Sequence, residues 1–314
     1  MNSFALALMV SLALSAPFSP AVTAAAVPER PAVQAREAVP EVPEVPKVYP
    51  SSPEGAPVTY EFRLPVLMYH HVVPDGQKCN EMTVTAGRLE QDLRWLAENG
   101  YETVLPRELA AGEPLPEKPV LITFDDGYRS NYNLAYPLFQ EFEAKAAISI
   151  MVYMQDNAAS DFITWSMCQE MQESGLVEFG SHTYLMHNLD DTRHGSFDPE
   201  GANGVQREDG ETDEAFRARV LEDIQLSYDL MAENLGQPPV FFAYPFGLTD
   251  PDADHLIQEL FSVTAVTLPK TADLSQGLYN LPRYTVTMSA GLDSILNPPL
   301  KKVIKAKIKE LLGM

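Results

Sequence analysis

Short apolar runs alternate with amphipathic helical patterns between about residue 60 and residue 289 of this 314-residue chain. Because parallel strands must be joined by crossover connections, this alternation predicts a parallel sheet with helices outside it, either open or closed into a barrel. In both arrangements the functional side chains gather at the C-terminal ends of the strands. The predicted strands are 66–69, 120–124, 146–152, 177–181, 240–244 and 262–268, and the predicted helices are 85–99, 134–144, 166–174, 213–235 and 252–260.

Polar or unusual residues stand at the ends of four of these strands, and four of the six histidines are among them. Two imidazoles and one carboxylate are a familiar ligand set for a divalent metal, and an adjacent carboxylate can act as general base. Each motif alone also fits an ordinary turn or helix cap, so the hypothesis depends on their combination. The residues are His70 and His71, Asp125, Asp126 and Gly127, His182 and His187, and Pro245, Phe246 and Gly247.

Three of these motifs, taken in order, resemble those of a known family. TFDDG (123–127), SHTYLMH (181–187) and AYPFG (243–247) are similar to the first three motifs of carbohydrate esterase family 4, the polysaccharide deacetylases with a NodB-type domain. The resemblance covers roughly residues 62–285. It implies an α/β fold, the irregular (β/α) barrel of the polysaccharide deacetylases, and metal-dependent removal of N-acetyl groups from polymers of N-acetylglucosamine.

The resemblance also implies a role for each matching residue. By position, Asp125 is the general base, and Asp126, His182 and His187 are ligands of one divalent metal ion, for which zinc is favoured. The backbone N–H of Phe246 would contribute to the oxyanion hole, which requires a fixed donor rather than a particular side chain.

The chain departs from the usual family pattern in three places. The two motif histidines are five residues apart instead of four, Ala243 replaces an arginine, and no histidine follows His255. PVLMYHHV (65–72) resembles the opening of the biofilm poly-N-acetylglucosamine deacetylases, a circularly rearranged branch in which an early Tyr-His motif supplies the general acid. This resemblance implies His70 as the acid, with His71 as the second choice.

Arg283 is the candidate to replace the missing arginine and to keep Asp125 charged. The alternative is an ordinary ion pair between Arg283 and one of the many surface carboxylates. His194 and His255 are interpreted as exposed residues without a role in the site.

The two ends of the chain predict segments outside the folded domain, which is expected at 60–290. Residues 1–26 resemble a secretory signal peptide that lacks the positive n-region, and a buried apolar helix is the alternative. The following linker, 27–59, belongs to a proline-rich tract and is expected to be semi-rigid. The basic amphipathic tail, 291–314, is expected either to lie on an anionic membrane surface or to pack on the domain. The segment that resembles a signal peptide predicts a secreted or periplasmic protein.

Net charge limits the classes of partner. A formal charge of -22 argues against a nucleic-acid-binding protein, and two cysteines exclude a disulfide-rich scaffold. Residues 188–215 hold nine acidic residues and two arginines and are interpreted as an insertion. This insertion is either a solvated surface loop or a lid that attracts a cationic, partly deacetylated polymer.

The leading hypothesis is a secreted metal-dependent deacetylase of an N-acetylglucosamine polymer. Poly-N-acetylglucosamine is favoured over peptidoglycan and chitin fragments. Two alternatives remain open at this stage: a carbohydrate-binding module with impaired catalysis, and an amidohydrolase for a small acetylated substrate. The complete set of two aspartates and two motif histidines favours an enzyme, because a binding module has no evident need for it. The sequence does not indicate an oligomeric state.

Overall fold

The computed structural model describes residues 63–187 and 204–297. The predicted signal peptide and linker, residues 188–203 of the predicted insertion, and residues 298–314 of the predicted tail lie outside these ranges. Of the helices in the described ranges, none combines the length and the apolar character that a membrane span requires.

The main sheet has nine strands, and every pairing within it is parallel. The order across the sheet is β12-β10-β9-β8-β7-β6-β2-β13, and β5 also pairs with β6. Outside this sheet β1 pairs with β11, and β3 pairs with β4. The strands are β1 (Arg63–Leu64), β2 (Val66–Tyr69), β3 (His71–Val73), β4 (Thr83–Thr85), β5 (Glu102–Thr103), β6 (Pro119–Phe124), β7 (Ala146–Ile150), β8 (Val177–Ser181), β9 (Phe241–Ala243), β10 (Val263–Val266), β11 (Ala272–Asp273), β12 (Leu281–Pro282) and β13 (Tyr284–Thr285).

The two edges of the main sheet are joined by a single stretch of chain, residues 281–285, which we call the closing segment. Its first two residues pair with β10 at one edge, and its last two pair with β2 at the other edge. Only Arg283 separates the two pairings. The sheet therefore forms a nearly closed barrel, which confirms the predicted irregular (β/α) barrel.

The helices surround this barrel and follow the predicted pattern closely. The first begins after Thr85, whose side chain accepts a hydrogen bond from the backbone N–H of Arg88, so the capping residue fixes where the helix starts. The predicted strand 146–152 is too long, because the chain leaves the sheet after Ile150 and Val152 begins a short helix. The helices are α1 (Ala86–Glu98), α2 (Pro106–Ala110), a π turn (Asn131–Ala135) continuing into α3 (Tyr136–Phe142), α4 (Val152–Asp156), α5 (Trp165–Glu173), α6 (Asp213–Leu235), α7 (Pro251–Leu260) and α8 (Leu292–Leu296), with 3-10 turns at Pro245–Gly247 and Leu274–Gln276.

Alternate strand residues belong to two apolar layers. Leu67 and Ile122 pack with Leu93 of α1, between the sheet and the helices. Their neighbours Val66 and Leu121 point to the other side of the sheet and belong to a second apolar cluster, in the barrel interior. Because both faces of the sheet are covered by apolar side chains, the polar side chains of the site converge at the C-terminal ends of the strands.

Candidate active site and metal centre

The site is built on a strained turn at the end of β6. Asp126 and Gly127 are consecutive residues with positive φ angles of 73° and 77°. A Cβ atom at Gly127 would lie 2.8 Å from Cγ2 of Ile150, so this position requires glycine. Asp126 has a Cβ atom, so its left-handed conformation is strained, and strain of this kind is typical of functional sites. The turn directs the side chains of Asp125 and Asp126 to different partners.

Asp125 is paired with Arg283 by two parallel hydrogen bonds. Nη1 of Arg283 donates to Oδ1 at 2.7 Å, and Nη2 donates to Oδ2 at 2.8 Å. The arginine is fully buried and also donates to Oγ1 of Thr123 at 3.2 Å. Burial alone would raise the pKa of Asp125, but the guanidinium outweighs it and lowers this pKa. The contact that the sequence suggested between the closing segment and the first aspartate is therefore present, and Asp125 is charged.

Asp126 faces the two motif histidines instead. Its Oδ1 atom lies 3.3 Å from Nε2 of His187 and 3.6 Å from Nε2 of His182. One ligand atom from each of the three residues lies within 4.8 Å of the others. Burial alone would raise the pKa of Asp126, but the imidazoles of His187, His70 and His182 hold it well below its usual range.

The tautomer of His182 is set by a backbone carbonyl. Nδ1 of this buried histidine lies 2.7 Å from the carbonyl oxygen of Ala243. Because a carbonyl can only accept, Nδ1 carries the proton, and the lone pair of Nε2 points toward Asp126. Burial lowers the pKa of His182 to about 4, so the ring is neutral near pH 7. Ala243, which stands where the family usually has an arginine, therefore contributes its backbone carbonyl to the site.

These three residues fit a divalent metal ion. Oδ1 of Asp126 is buried and accepts no well-directed hydrogen bond, which is costly for a carboxylate oxygen unless a cation lies beside it. Two neutral imidazole nitrogens and one carboxylate oxygen are the donor set of zinc and similar ions in hydrolases.

A buried aspartate that the sequence reasoning missed holds the loop between the histidines. Asp223 of α6 accepts hydrogen bonds from the backbone N–H groups of Tyr184 and Leu185, at 2.8 Å and 2.9 Å. It lies on the same face of the helix as Val220 and Ile224, which are both fully buried. An acidic residue at an apolar position of a helix is the signal that could have identified it.

The two early histidines have different surroundings. His70 directly follows β2, and its imidazole lies close enough to both aspartates to lower the pKa of Asp125 and the pKa of Asp126. In His71, by contrast, Nδ1 shares a hydrogen bond with Oγ of Ser130 at 3.0 Å. His70 is thus the histidine that the structure brings to the site.

The third motif forms a tight turn beside the histidines. Phe246 has a φ angle of 56° within this turn, and its ring packs against His187 with 4.9 Å between centroids. A Cβ atom at Gly247 would lie 2.2 Å from the backbone nitrogen of Thr267, so glycine is required there. His255 is exposed on α7, away from these contacts, and His194 lies outside the described residues.

Comparison with known proteins points to one family. The family model for polysaccharide deacetylase matches residues 112–262. The chain is 27% identical over 247 residues to a poly-beta-1,6-N-acetyl-D-glucosamine N-deacetylase of Escherichia coli K12. This match covers 72% of the chain but only 37% of the relative's length. The protein of the same name in Staphylococcus aureus MRSA252 is 23% identical, with 68% of this chain and 71% of the relative covered.

Solved structures show the same fold. IcaB from Ammonifex degensii is 26% identical with a TM-score of 0.62, and the match covers 74% of this chain and 94% of IcaB. A de-N-acetylase from Aggregatibacter actinomycetemcomitans, 24% identical with a TM-score of 0.64, shares the fold over 76% of this chain and 100% of its own. Together with the motifs and the barrel, these findings show that the chain resembles the polysaccharide deacetylases, carbohydrate esterase family 4.

Proposed function

We propose that this chain is an exported, metal-dependent deacetylase that releases acetate from a β-1,6-linked polymer of N-acetylglucosamine. The observation that carries the proposal is the placement of the buried Asp125–Arg283 pair beside the cluster of Asp126, His182 and His187. The substrate is suggested by the names of the curated relatives. Export is suggested by the apolar N-terminal stretch at residues 1–26.

The metal-ligand residues are Asp126, His182 and His187. A divalent ion bound there, with zinc favoured, would supply Lewis-acid chemistry by lowering the pKa of a water molecule and polarising the amide carbonyl. The neutral state of His182 and the charged state of Asp126 are the protonation states that such binding needs.

Asp125 acts as the general base in this proposal. Arg283 occupies one direction of approach to each carboxylate oxygen, and a carboxylate oxygen has a second lone pair that can accept a proton from water. The fixed orientation of the carboxylate supports the role, since a general base must lie within hydrogen-bond reach of the proton that it removes.

The remaining steps use two further residues. The backbone N–H of Phe246 stabilises the oxyanion that forms as the amide carbonyl is attacked. His70 donates a proton to the nitrogen of the sugar as the C–N bond breaks, because an unprotonated amine is a poor leaving group. Acetate and a glucosamine unit are the products.

The acidic insertion at 188–215 is proposed to attract the polymer once part of it is deacetylated and therefore cationic. If deletion of residues 190–211 left the salt dependence of polymer binding unchanged, this role would be excluded. The basic C-terminal tail is proposed to contact an anionic membrane surface.

Acetate release from oligomers of β-1,6-linked N-acetylglucosamine, chitin and peptidoglycan is the direct test. We expect the β-1,6-linked oligomer to be the best substrate, with loss of activity in chelator and recovery when zinc is added back. Replacing Asp125 by Asn should lower the rate by about 100-fold or more. Glu98→Gln is the matched control, since Glu98 is exposed at the end of α1. Unchanged acetate release by Asp125→Asn would exclude Asp125 as the base.

A further inference from the structure

His70 lies at a break between two strands. β2 ends at Tyr69, and β3 begins at His71 in a different sheet, so neither ladder includes His70. The carbonyl of Tyr69 accepts a hydrogen bond from the backbone N–H of Asp125 at 3.0 Å, and the N–H of His71 donates to the carbonyl of Met82 at 3.2 Å. The backbone of His70 itself is therefore held by something other than regular strand pairing.

Asn131 provides that contact. Its Nδ2 atom donates a hydrogen bond to the carbonyl oxygen of His70 at 2.8 Å, and its side chain is fully buried. The preceding residue, Ser130, accepts a hydrogen bond through Oγ from the backbone N–H of Val72 at 3.1 Å and contacts Nδ1 of His71 at 3.0 Å. Two consecutive side chains thus hold three consecutive residues, 70–72.

The same short stretch of chain carries the aspartates. Asn131 is the sixth residue after Asp125 and begins the π turn, in which its carbonyl accepts the N–H of Tyr136. The intervening turn is fixed by hydrogen bonds from the N–H of Asn131 to the carbonyl of Tyr128, at 2.9 Å, and from Arg129 to the carbonyl of Asp161, at 2.8 Å. π turns are rare and frequently occur at functional sites.

The choice of an amide at this position is informative. Oδ1 of Asn131 is buried and has no hydrogen-bond partner among the described residues. A buried acceptor without a partner lowers stability, and a leucine, which has the same branching and the same number of heavy atoms, would avoid that loss. The Nδ2 donor to His70 is therefore the part of the side chain that the structure uses.

We infer that Asn131 is a positioning residue that fixes His70 for proton transfer to the departing sugar nitrogen, with Ser130 supporting the adjacent residues. This inference rests on the proposed function. A general acid must come within about 3 Å of the atom that it protonates, and small displacements of a reacting group reduce rates about 100-fold. Asn131 links the placement of the acid to the turn that carries the base.

Two acetylated substrates separate positioning of the acid from general structural damage. A sugar amine needs a proton in order to leave, whereas the nitrophenolate of 4-nitrophenyl acetate leaves without one. For Asn131→Leu we expect kcat on the β-1,6-linked oligomer to fall about 10- to 100-fold with KM changed less than about 3-fold. Hydrolysis of 4-nitrophenyl acetate by the same zinc-loaded preparation should change by less than about 3-fold, because the leaving group needs no acid.

A double variant and a matched control complete the test. His70→Ala should show the same substrate pattern, and adding Asn131→Leu to it should cause little further loss, because both changes remove one function. Asn234→Leu removes another amide-to-carbonyl hydrogen bond, from Nδ2 to Leu230 at 2.8 Å on α6, and should leave both activities unchanged.

Equal losses on both substrates, or losses that multiply in the double variant with His70→Ala, would overturn the inference. A wild-type enzyme that hydrolyses 4-nitrophenyl acetate but no acetylated glucosamine oligomer would instead overturn the proposed function. The two failures are therefore distinguishable.

Discussion

Two buried carboxylates, Asp125 and Glu178, each lie beside an arginine, yet their pKa values shift in opposite directions. At the C-terminal ends of the strands, both oxygens of Asp125 meet the fork of a fully buried Arg283, and the pKa is lowered. Near the N-terminal end of β8, Oε1 of Glu178 lies 3.7 Å from Nε of Arg107, whose side chain is 38% exposed. Oε2 accepts a hydrogen bond from the Arg107 backbone N–H, at 2.9 Å, and not from its guanidinium.

Burial consequently dominates at Glu178. It raises the pKa of Glu178 to about 7, with Arg107 opposing the shift and the nearby Glu108 adding to it. The comparison shows that a nearby arginine is not sufficient to keep a buried carboxylate charged. At Asp125 the two-point contact with a desolvated guanidinium outweighs burial, and this is where the proposed chemistry requires an ionised base.

The largest expected effect comes from removing the guanidinium fork. Arg283→Met leaves the charge of Asp125 buried without a partner, so the free energy of unfolding at pH 7 should fall by about 3–5 kcal/mol in urea titrations. Arg94→Met breaks an exposed pair with Glu90 and should change stability by less than about 0.5 kcal/mol.

A second variant separates charge from packing. Asp125→Asn in the Arg283→Met background removes the unpaired charge and should recover part of the lost stability. If it recovers none, the loss arises from packing within the closing segment, and the contrast between the two carboxylates is not electrostatic.

Asp126 provides the next test, because no arginine pairs with it within the described ranges. Zinc at 100 times its dissociation constant should raise the free energy of unfolding of the wild type by about 2.7 kcal/mol. Asp126→Asn should lose most of this rise, as measured by thermal or urea unfolding with and without zinc. An equal rise in the variant would show that zinc binds elsewhere. Glu98→Gln is again the control.

The smallest expected effect concerns Glu178 and depends on pH. Its pKa rises from 4.5 in the unfolded chain to about 7 in the folded protein, so folding takes up a proton between these values. Its contribution to stability is therefore lost as the pH rises from about 4.5 through 7. Glu178→Gln removes this loss and should stabilise the protein by about 1–3 kcal/mol at pH 8 relative to its effect at pH 4. Equal effects at both pH values would contradict the raised pKa.

Much of the fold could be predicted from sequence because its elements have clear local signals. The helix at 213–235 appears with the predicted bounds, and Thr85 caps α1 as its position suggests. The end of β7 was misplaced, because Met151 and Val152 continue the apolar pattern after the chain has left the sheet. The apolar pattern indicates which residues are buried, and the buried residues continue past the end of β7 into the next helix.

The site was predictable only as far as its motifs extend. Asp125, Asp126, His182 and His187 are local signals, and the structure brings them together. The pairing of Asp125 with Arg283 spans 158 residues and depends on how the barrel closes, so the sequence could only suggest it. The apolar face on which Asp223 lies could indicate that it is buried, but the roles of Asn131 and Asp223 depend on the backbone groups that they reach, which the sequence does not show.

The closing segment has a consequence for synthesis of the protein. Arg283 lies between the two short strands that join the sheet edges, so the residue that pairs with Asp125 enters the barrel as the barrel closes. A nascent chain that has exposed only residues up to about 280 contains both aspartates and both motif histidines but not the arginine. Such a chain contains every recognisable motif while Asp125 lacks its counter-charge. The Asp125–Arg283 pair therefore cannot form until the closing segment, which follows every motif residue in the chain, has been synthesised.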